Sequence, residues 1–422
     1  MKQFSLKKGL VLGTALSAGL LAAGSAQAGA TFKMDDTKWL SLGAGIRTSF
    51  SAVEAGAPSA NSQWSNDFAV DNARLYLNGQ VHENIKFEFN TESVTNNQES
   101  DFFVLDAIAK FEFNDMVNIW VGRQLVPSDR AELNGPFYHS TYEFNKTPFF
   151  PNDQGSYTAG KYGRDDGINI WGALTADKKL TYVVGVFNGT VNGPDQDDNL
   201  LYAGRISYNF LNVEKNPGYY TSSTYYGKAG DILTVAFATQ WEEDAVGVAD
   251  DPDTGANEYA AGDFFGYSVD LLGETTLGNG AVVTVEGQFK KFELSGGGSE
   301  LATGPMVFEG DAYTGTALYL MPGKVGIGQL QPYVRYTANE GENTTDRDEY
   351  EAGLNYIIDG HNARVSLMYQ YGDIATKGRG YAADAAGDDL HLETNFNGMH
   401  IIAGCISCIT AAFSSNIAVL IH

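Results

Sequence analysis

The chain has 422 residues, a formal net charge of −25 at pH 7, 12% aromatic residues and 49 glycines. The strong negative charge excludes nucleic-acid binding as a main activity, because phosphate groups would be repelled. The two cysteines, Cys405 and Cys408, stand near the end of the chain, so the rest of the protein does not depend on disulfides. Between residues 29 and 398 no apolar run reaches the length of about 18 residues that a transmembrane helix needs. The abundance of Tyr, Phe and Gly favours sheet structure with aromatic belts and many turns.

Residues 1–28 have the three parts of a secretory signal peptide. A basic start is followed by an apolar core at residues 10–23 and by the small residues Ala26 and Ala28 at the predicted cleavage site. A signal anchor that stays attached is the alternative, but the apolar core is short and the cleavage pattern is clear. The pattern predicts an exported protein whose mature chain starts after Ala28.

Most of the remaining chain alternates between apolar and polar residues with a period of two. Between residues 363 and 371, apolar side chains occupy the odd positions and Arg364, Ser366 and Gln370 alternate with them. Strands with one face toward lipid and one toward water show this pattern. Sixteen strands are predicted, near residues 38–50, 68–81, 84–94, 101–113, 116–124, 165–174, 179–189, 200–211, 231–242, 262–275, 280–293, 311–322, 330–339, 347–358, 361–372 and 386–398. The predicted fold class is therefore an all-β, transmembrane, antiparallel β-barrel of about sixteen strands, an even number that allows closure.

The connections between these strands are alternately short and long. The turns at residues 82–84, 114–115 and 359–361 are short, which is typical of the periplasmic side, whereas most of the alternate connections are longer. One connection, residues 211–230, is long where a short turn is expected, and the sequence gives no explanation for it.

The third external connection, residues 125–164, is the longest and is named the long loop. It has no helix signal, but it contains four prolines and the aromatic residues Tyr138, Tyr142, Phe144, Phe149 and Phe150. Loops of this length inside a compact domain are usually functional or disordered. Because its aromatic residues can pack against a wall, we expect it to fold into the lumen and narrow it.

The C-terminal end departs from the strand pattern. Residues 398–422 are apolar without alternation, whereas bacterial barrels end on an alternating strand with a terminal aromatic residue. A frameshift or sequencing error after about residue 397 is one explanation, and a genuine apolar tail or short helix is the other. The predicted organisation is a signal peptide at 1–28, a barrel at 29–397 and an aberrant tail at 398–422.

The segment GRQLVPSDRAELNGPFY, residues 122–138, resembles a signature of the phosphate-selective porin O/P family. It joins a strand that ends in Gly-Arg to Pro-x-Asp-Arg and then to Asn-Gly-Pro. The general layout is similar over about residues 29–397, and the resemblance implies an outer-membrane porin. Members of that family select phosphate with a ladder of luminal arginines and a lysine cluster near the constriction. The long loop departs from that pattern, since it offers only Lys146 and Lys161.

A porin sets a size limit and an electric field, so the candidate functional residues are charged side chains that face water at the narrowest point. Guanidinium groups suit oxyanions because their fork meets two oxygens at once. The alternative is that these residues only solvate the wall or pair with one another. Alternation also turns Arg47, Arg335 and Arg364 inward. The predicted pore-lining, anion-binding residues are Arg74, Lys86, Lys110, Arg123, Arg130, Lys146, Lys161, Arg164 and Arg205. The predicted constriction carboxylates are Asp129, Glu132, Asp165 and Asp166, with Glu143 beside them.

Arg123 has two predicted orientations. Strict alternation with Val121 places it on the lipid face, where a charge is costly except near the interface. A bulge at Gly122 would turn it inward. The family signature favours the inward, functional position.

The sequence therefore predicts a porin of the Gram-negative outer membrane that passively conducts small hydrophilic solutes, with a preference for phosphate-like anions. One alternative is a general or cation-preferring pore, which the net charge favours. Another is a structural barrel that sheathes an electron-transfer partner. No catalytic group is expected, because the adjacency of His139 and Ser140 is not the geometry of a catalytic triad. No cofactor is expected because the sequence has no C-x-x-C-H haem motif, and no metal because the acidic residues between 242 and 258 do not have the spacing of an EF-hand loop. The expected partners are outer-membrane lipid, lipopolysaccharide, small solutes and further copies of the chain in a homotrimer.

Overall fold

The computed structural model describes residues 29–53, 65–96, 99–148, 150, 163–190, 195, 197–248, 260–295, 308–342, 346–372, 374 and 393–403. These residues form one short helix and eighteen strands. The helix α1 is Arg130–Tyr138. The strands are Gly29–Lys33 (β1), Trp39–Val53 (β2), Ser65–His82 (β3), Ile85–Asn96 (β4), Glu99–Glu112 (β5), Asn118–Leu125 (β6), Arg164–Ala173 (β7), Leu180–Phe187 (β8), Leu201–Asn209 (β9), Ile232–Val248 (β10), Ala260–Thr276 (β11), Val282–Leu294 (β12), Gly310–Leu320 (β13), Lys324–Val325 (β14), Gly328–Gly341 (β15), Arg347–Asp359 (β16), Ala363–Gly372 (β17) and Glu393–Ala403 (β18).

Sixteen of the strands pair into one continuous ring. From β2 to β13 each strand is antiparallel to the next, β13 pairs with β15, and the order continues to β18, which pairs with β2. The two short strands β1 and β14 pair antiparallel with the first residues of β2 and β15. The predicted all-β antiparallel barrel is confirmed. Such a ring satisfies the backbone hydrogen bonds that an open sheet would leave unpaired in hydrocarbon.

Every predicted strand overlaps a strand of the ring. The last one lies several residues later than predicted, at Glu393–Ala403, and therefore includes residues that were expected to belong to the aberrant tail. Its backbone pairs with both β17 and β2, so the lack of alternation does not prevent strand formation. The predicted signal peptide and residues 404–422 lie outside the described residues.

The strands place polar side chains inside the ring and apolar side chains outside. Along β17, Arg364, Ser366 and Gln370 are buried, whereas Leu367 and Tyr369 are exposed on the outer surface. This is the reverse of a soluble protein, in which large apolar side chains face the interior. The same arrangement is expected for a wall that separates lipid from a polar lumen.

The long loop occupies the lumen, as predicted. Phe150 lies against Phe264 and Phe292 of the opposite wall, with ring centroids 6.1 and 4.8 Å apart. Phe144 packs on Leu105 of β5, so the loop contacts both sides of the ring. Phe149 lies outside the described residues. Among the residues whose structure is described, no helix is long and apolar enough to cross a membrane.

Candidate pore constriction

The long loop begins with a helix that the sequence analysis did not predict. The side chain of Asp129 caps α1, since it accepts hydrogen bonds from the backbone N–H groups of Ala131 at 2.9 Å and Glu132 at 3.2 Å. An Asp followed three residues later by a Glu is a helix-start signal, and this signal was missed. The expectation of no helix was wrong because Gly135, with φ 58°, and Pro136 interrupt the pattern within nine residues.

Lys290 on β12 binds the start of α1 and so attaches it to the wall of the ring. Its ammonium group lies 2.6 Å from Asp129 Oδ2, contacts Glu132, and donates to the carbonyl oxygen of Pro148 at 2.8 Å. Burial alone would raise the pKa of Asp129, but Lys290 outweighs this effect and lowers that pKa. The predicted constriction carboxylates Asp129 and Glu132 thus hold the loop in place.

Arg130 connects α1 to two other parts of the molecule. It makes a bidentate pair with Glu214, at 2.7 and 2.8 Å, and its Nε lies 3.3 Å from Asp270 Oδ1. Burial alone would raise the pKa of Glu214, but Arg130 holds it at about 2. Arg205 also donates to Asp270, at 2.9 Å. A buried network of this kind fixes the position of the helix because each charge is paired.

Three wall arginines bind the turn that follows α1. This arginine cluster consists of Arg47 on β2, Arg335 on β15 and Arg364 on β17. Arg364 donates to the carbonyl oxygens of His139 at 2.7 Å and Ser140 at 3.0 Å.

The other two arginines bind the next part of the same turn. Arg335 donates to Thr141 Oγ1 at 2.8 Å and to the carbonyl oxygen of Glu143, and Arg47 donates to the carbonyl oxygen of Tyr142. These hydrogen bonds are strong because the donor in each is a charged guanidinium group.

Burial and the arginine cluster change the ionisation of two loop residues. Burial and the charges of Arg335 and Arg364 lower the pKa of His139 well below its usual value, so its imidazole carries no charge at neutral pH. Burial raises the pKa of Glu143 to about 7, although Lys146 and Arg47 oppose that rise. The net charge beside the cluster therefore changes with pH near neutrality.

The other predicted luminal cations are ion-paired wherever the structure describes them. The pairs are Arg74 with Glu92, Lys86 with Glu112, Lys110 with Glu88, Lys146 with Glu349, Arg164 with Asp106 and Arg205 with Asp270. Lys161 lies outside the described residues. The predicted carboxylate Asp165 accepts a hydrogen bond from Gly189 N at 2.7 Å at the external end of the wall.

Arg123 and Asp166 do not face the lumen. They form a bidentate pair, at 2.8 and 2.9 Å, across the outer faces of β6 and β7. The alternation of β6 continues through Gly122, because the pairing with β5 shows no register shift there. The inward orientation expected for both side chains was therefore wrong, and the cost of a charge on this face is reduced by the pairing and by the nearby end of the strand.

Among the ion-paired charged groups inside the ring, the most exposed lie on β4 and on β5, where Glu112 is 21% exposed. Lys86 and Glu88 are 32% and 15% exposed, whereas Arg130 and Lys290 are each only 1% exposed. Tyr138, at the end of α1, is 39% exposed and interacts electrostatically with Glu88. Solute-accessible space thus runs beside β4, past the end of α1.

Sequence reasoning missed how the loop is held. The alternation of the strands predicted that Arg47, Arg335 and Arg364 face inward. It could not show that they bind carbonyl groups that are far away in sequence. Across the described ranges, no group of three or more His, Cys, Asp or Glu side chains is arranged to hold a metal ion.

Comparison with known proteins decides the family. The family model described as "Phosphate-selective porin O and P" matches residues 40–260, which is more than half of the chain. The chain belongs to this family. The matched region of this porin contains the long loop, α1 and most of the wall cations described above. No curated protein sequence matches the chain at a significant level.

Solved structures of outer-membrane proteins share the fold. The anion-selective porin from Comamonas acidovorans aligns with a TM-score of 0.53 at 15% identity, over 87% of this chain and 99% of that one. The outer-membrane expressed OmpT of Vibrio cholerae aligns with a TM-score of 0.51 at 15% identity, over 89% of this chain and all of that one. At these identities the likeness concerns the fold. Family and fold together make this porin an outer-membrane channel rather than an enzyme.

Proposed function

We propose that this porin passively conducts small hydrophilic solutes and prefers anions, including phosphate-like oxyanions. The observation that carries the proposal is the arginine cluster at the constriction. Among the described residues, neither Arg47 nor Arg364 has an ion-pair partner, and both donate to neutral groups of the long loop or wall. Their two positive charges are therefore not cancelled by direct pairing.

Burial makes those charges effective over a distance. Arg47 is 0% and Arg364 is 2% exposed, so mobile ions cannot surround them. Buried charges are screened much less than surface charges, for which the Debye length is about 8 Å at physiological ionic strength. A narrow passage with low-dielectric walls focuses such a field. The cluster thus attracts anions into the passage without contacting them.

The carboxylates near the passage oppose this field less than their number suggests. Glu88 and Glu92 are bridged to Lys110 and Arg74, so each pair is neutral as a unit. Three other carboxylates lie close to the cluster: Asp71 accepts a hydrogen bond from Tyr142, Glu286 lies 3.9 Å from His139, and Glu143, with a pKa of about 7, is only partly ionised at neutral pH. A general or cation-preferring pore is the second candidate, and the net charge of −25 favours it.

The third candidate, a sheath around an electron-transfer partner, needs an open lumen. Phe144, Phe150 and Arg130 of the long loop contact the wall on several sides, which supports the pore. We further propose lipid and lipopolysaccharide as the surroundings of the outer face, and a homotrimer as the assembly. A trimer form is described for the Vibrio cholerae OmpT structure that shares the fold, with a TM-score of 0.50 and 15% identity over 87% of this chain and all of that one.

Substitutions of one cluster residue test the proposed preference. Arg364→Gln removes a charge from the cluster, and the chloride-to-potassium permeability ratio should fall toward unity. Arg364→Lys keeps the charge and should keep the ratio. Arg123→Gln removes a charge from the outer face and is the matched control, for which no change is expected. An unchanged ratio in Arg364→Gln, with normal single-channel conductance, would contradict the proposal.

A further inference from the structure

The connection between β9 and β10, residues 210–231, is named the floor segment. It lies on the side of the ring where the other connections are short turns, and the sequence did not explain its length. The structure describes all residues of the floor segment, and they lie within the end of the ring instead of projecting from it. They cross the lumen beneath α1, as three sets of contacts show.

The first set of contacts joins the floor segment to β6 and β7. The hydroxyl of Tyr219 donates to the carbonyl oxygen of Leu125 at 2.5 Å and accepts from Asn169 Nδ2 at 2.8 Å. The rings of Tyr219 and Tyr220 lie on Trp120, with centroids 5.3 and 5.5 Å apart. Aromatic contacts of this kind add stability beyond their buried area.

The second set joins the floor segment to α1. Besides the Arg130–Glu214 pair, Thr221 Oγ1 donates to the carbonyl oxygen of Arg130 at 2.7 Å. Asn134 Nδ2 donates to Ser223 Oγ at 2.7 Å. The helix of the long loop therefore rests on the floor segment along its length.

The third set joins the floor segment to the opposite wall. Glu274 of β11 accepts hydrogen bonds from Thr224 Oγ1 at 2.7 Å and from Gly227 N at 2.8 Å. His361, in the turn between β16 and β17, lies 2.9 Å from the carbonyl oxygen of Thr224, and Tyr226 packs against its ring. The segment thus spans the ring from β6 to β16.

The cavity that the described residues form beneath α1 lies on one side of the floor segment. This cavity of about 460 Å³ is bounded by the segment and by β4 to β9, with Lys86, Trp171 and Tyr220 among its lining residues. On the other side, inward residues such as Thr284 of β12 are fully buried.

We propose that the floor segment is a second constriction, which closes the β11–β17 half of the periplasmic mouth and confines solutes to the exit beside β4–β9. Within it, Glu214 is a positioning residue, because it holds Arg130 and so fixes α1 above the exit. The proposal rests on the channel function alone and not on the anion preference, so either one can fail without the other.

Thiol accessibility tests the confinement in the full chain, with Cys405 and Cys408 changed to Ser. A cysteine at Lys86 lies in the exit, and a cysteine at Thr284 lies on the closed side. A membrane-impermeant thiol reagent applied from the periplasmic side should block current through Lys86→Cys at least about tenfold faster than through Thr284→Cys. Equal rates of block would overturn the proposal.

Shortening the floor segment provides the complementary test. Replacement of residues 213–229 by a tight turn should raise single-channel conductance and make Thr284→Cys as reactive as Lys86→Cys. If this variant does not fold, the double variant Glu214→Ala, Tyr226→Ala loosens both ends of the segment at full length and should have the same effect on reactivity. A folded variant of either kind with unchanged conductance and reactivity would refute the second constriction.

Discussion

Among the described residues, only Lys290 has an ammonium group that contacts both Asp129 and Glu132 at the start of α1. Lys290→Met keeps the length of the side chain but removes its charge. Lys290 is 1% exposed and both carboxylates are 0% exposed. In the variant, the two carboxylates and the carbonyl group of Pro148 would therefore lose this partner while remaining buried away from water. Removing one partner of a buried pair costs about 3–5 kcal/mol.

This loss of free energy destabilises the docked position of the long loop in the lumen. Since each 1.4 kcal/mol is a factor of ten, the undocked population should rise by about a hundredfold or more. Native-state proteolysis measures this population when opening is fast. In the docked loop Lys146 is buried and paired with Glu349 at 3.1 Å, so tryptic cleavage after Lys146 should accelerate by a similar factor.

The neighbouring lysine supplies a matched control. Lys291 is 26% exposed on the outer face and lies 3.5 Å from Asp311, a contact of the kind that contributes at most about 1 kcal/mol. Lys291→Met should leave the cleavage rate nearly unchanged. Adding Asp129→Asn and Glu132→Gln to Lys290→Met removes the unpaired charges and should recover much of the protection, because Asn also caps helices. Equal cleavage of the Lys290 and Lys291 variants would refute the reasoning.

Further predictions concern pH, the outer-face pair and one glycine. The chloride-to-potassium permeability ratio should be higher at pH 6 than at pH 8, because Glu143, with its pKa raised to about 7, becomes neutral as the pH falls. Glu143→Gln should remove this pH dependence. If the dependence persists in that variant, a group other than Glu143 causes it. Replacing Arg123 and Asp166 together by Ala should leave the reversal potential unchanged, whereas a shift would mean that the pair faces the passage. A Cβ at Gly122, where φ is 120°, would lie 2.1 Å from the Ala107 carbonyl oxygen, so Gly122→Ala should lower the folded fraction after refolding, while Gly204→Ala, with its nearest atom at 3.7 Å, should not.

The ring was predictable because its signal is local. Each strand alternates, since one face meets lipid and the other meets polar groups, and this period of two can be read without knowing the neighbours. Burial of Arg364, Ser366 and Gln370 along β17 follows directly from it. The position of the long loop followed from the alternation of short and long connections.

The interior of the ring was less predictable because long-range contacts determine it. α1 has Gly135 and Pro136 inside it and polar partners on several sides, so no single apolar face marks it as a helix. The floor segment has no period at all, and it is ordered by contacts with Trp120, Glu274 and His361, which come from three distant parts of the chain. Charge alone likewise did not distinguish Arg364, which holds the loop, from Lys86, which borders the exit.

The reversal potential of the refolded porin in a planar bilayer under a KCl gradient tests the central claim most directly. The arginine cluster predicts an anion-selective potential, with a chloride current that added phosphate reduces. A cation-selective potential would contradict the proposed preference, because it would mean that the luminal carboxylates, and not Arg47 and Arg364, control the passage.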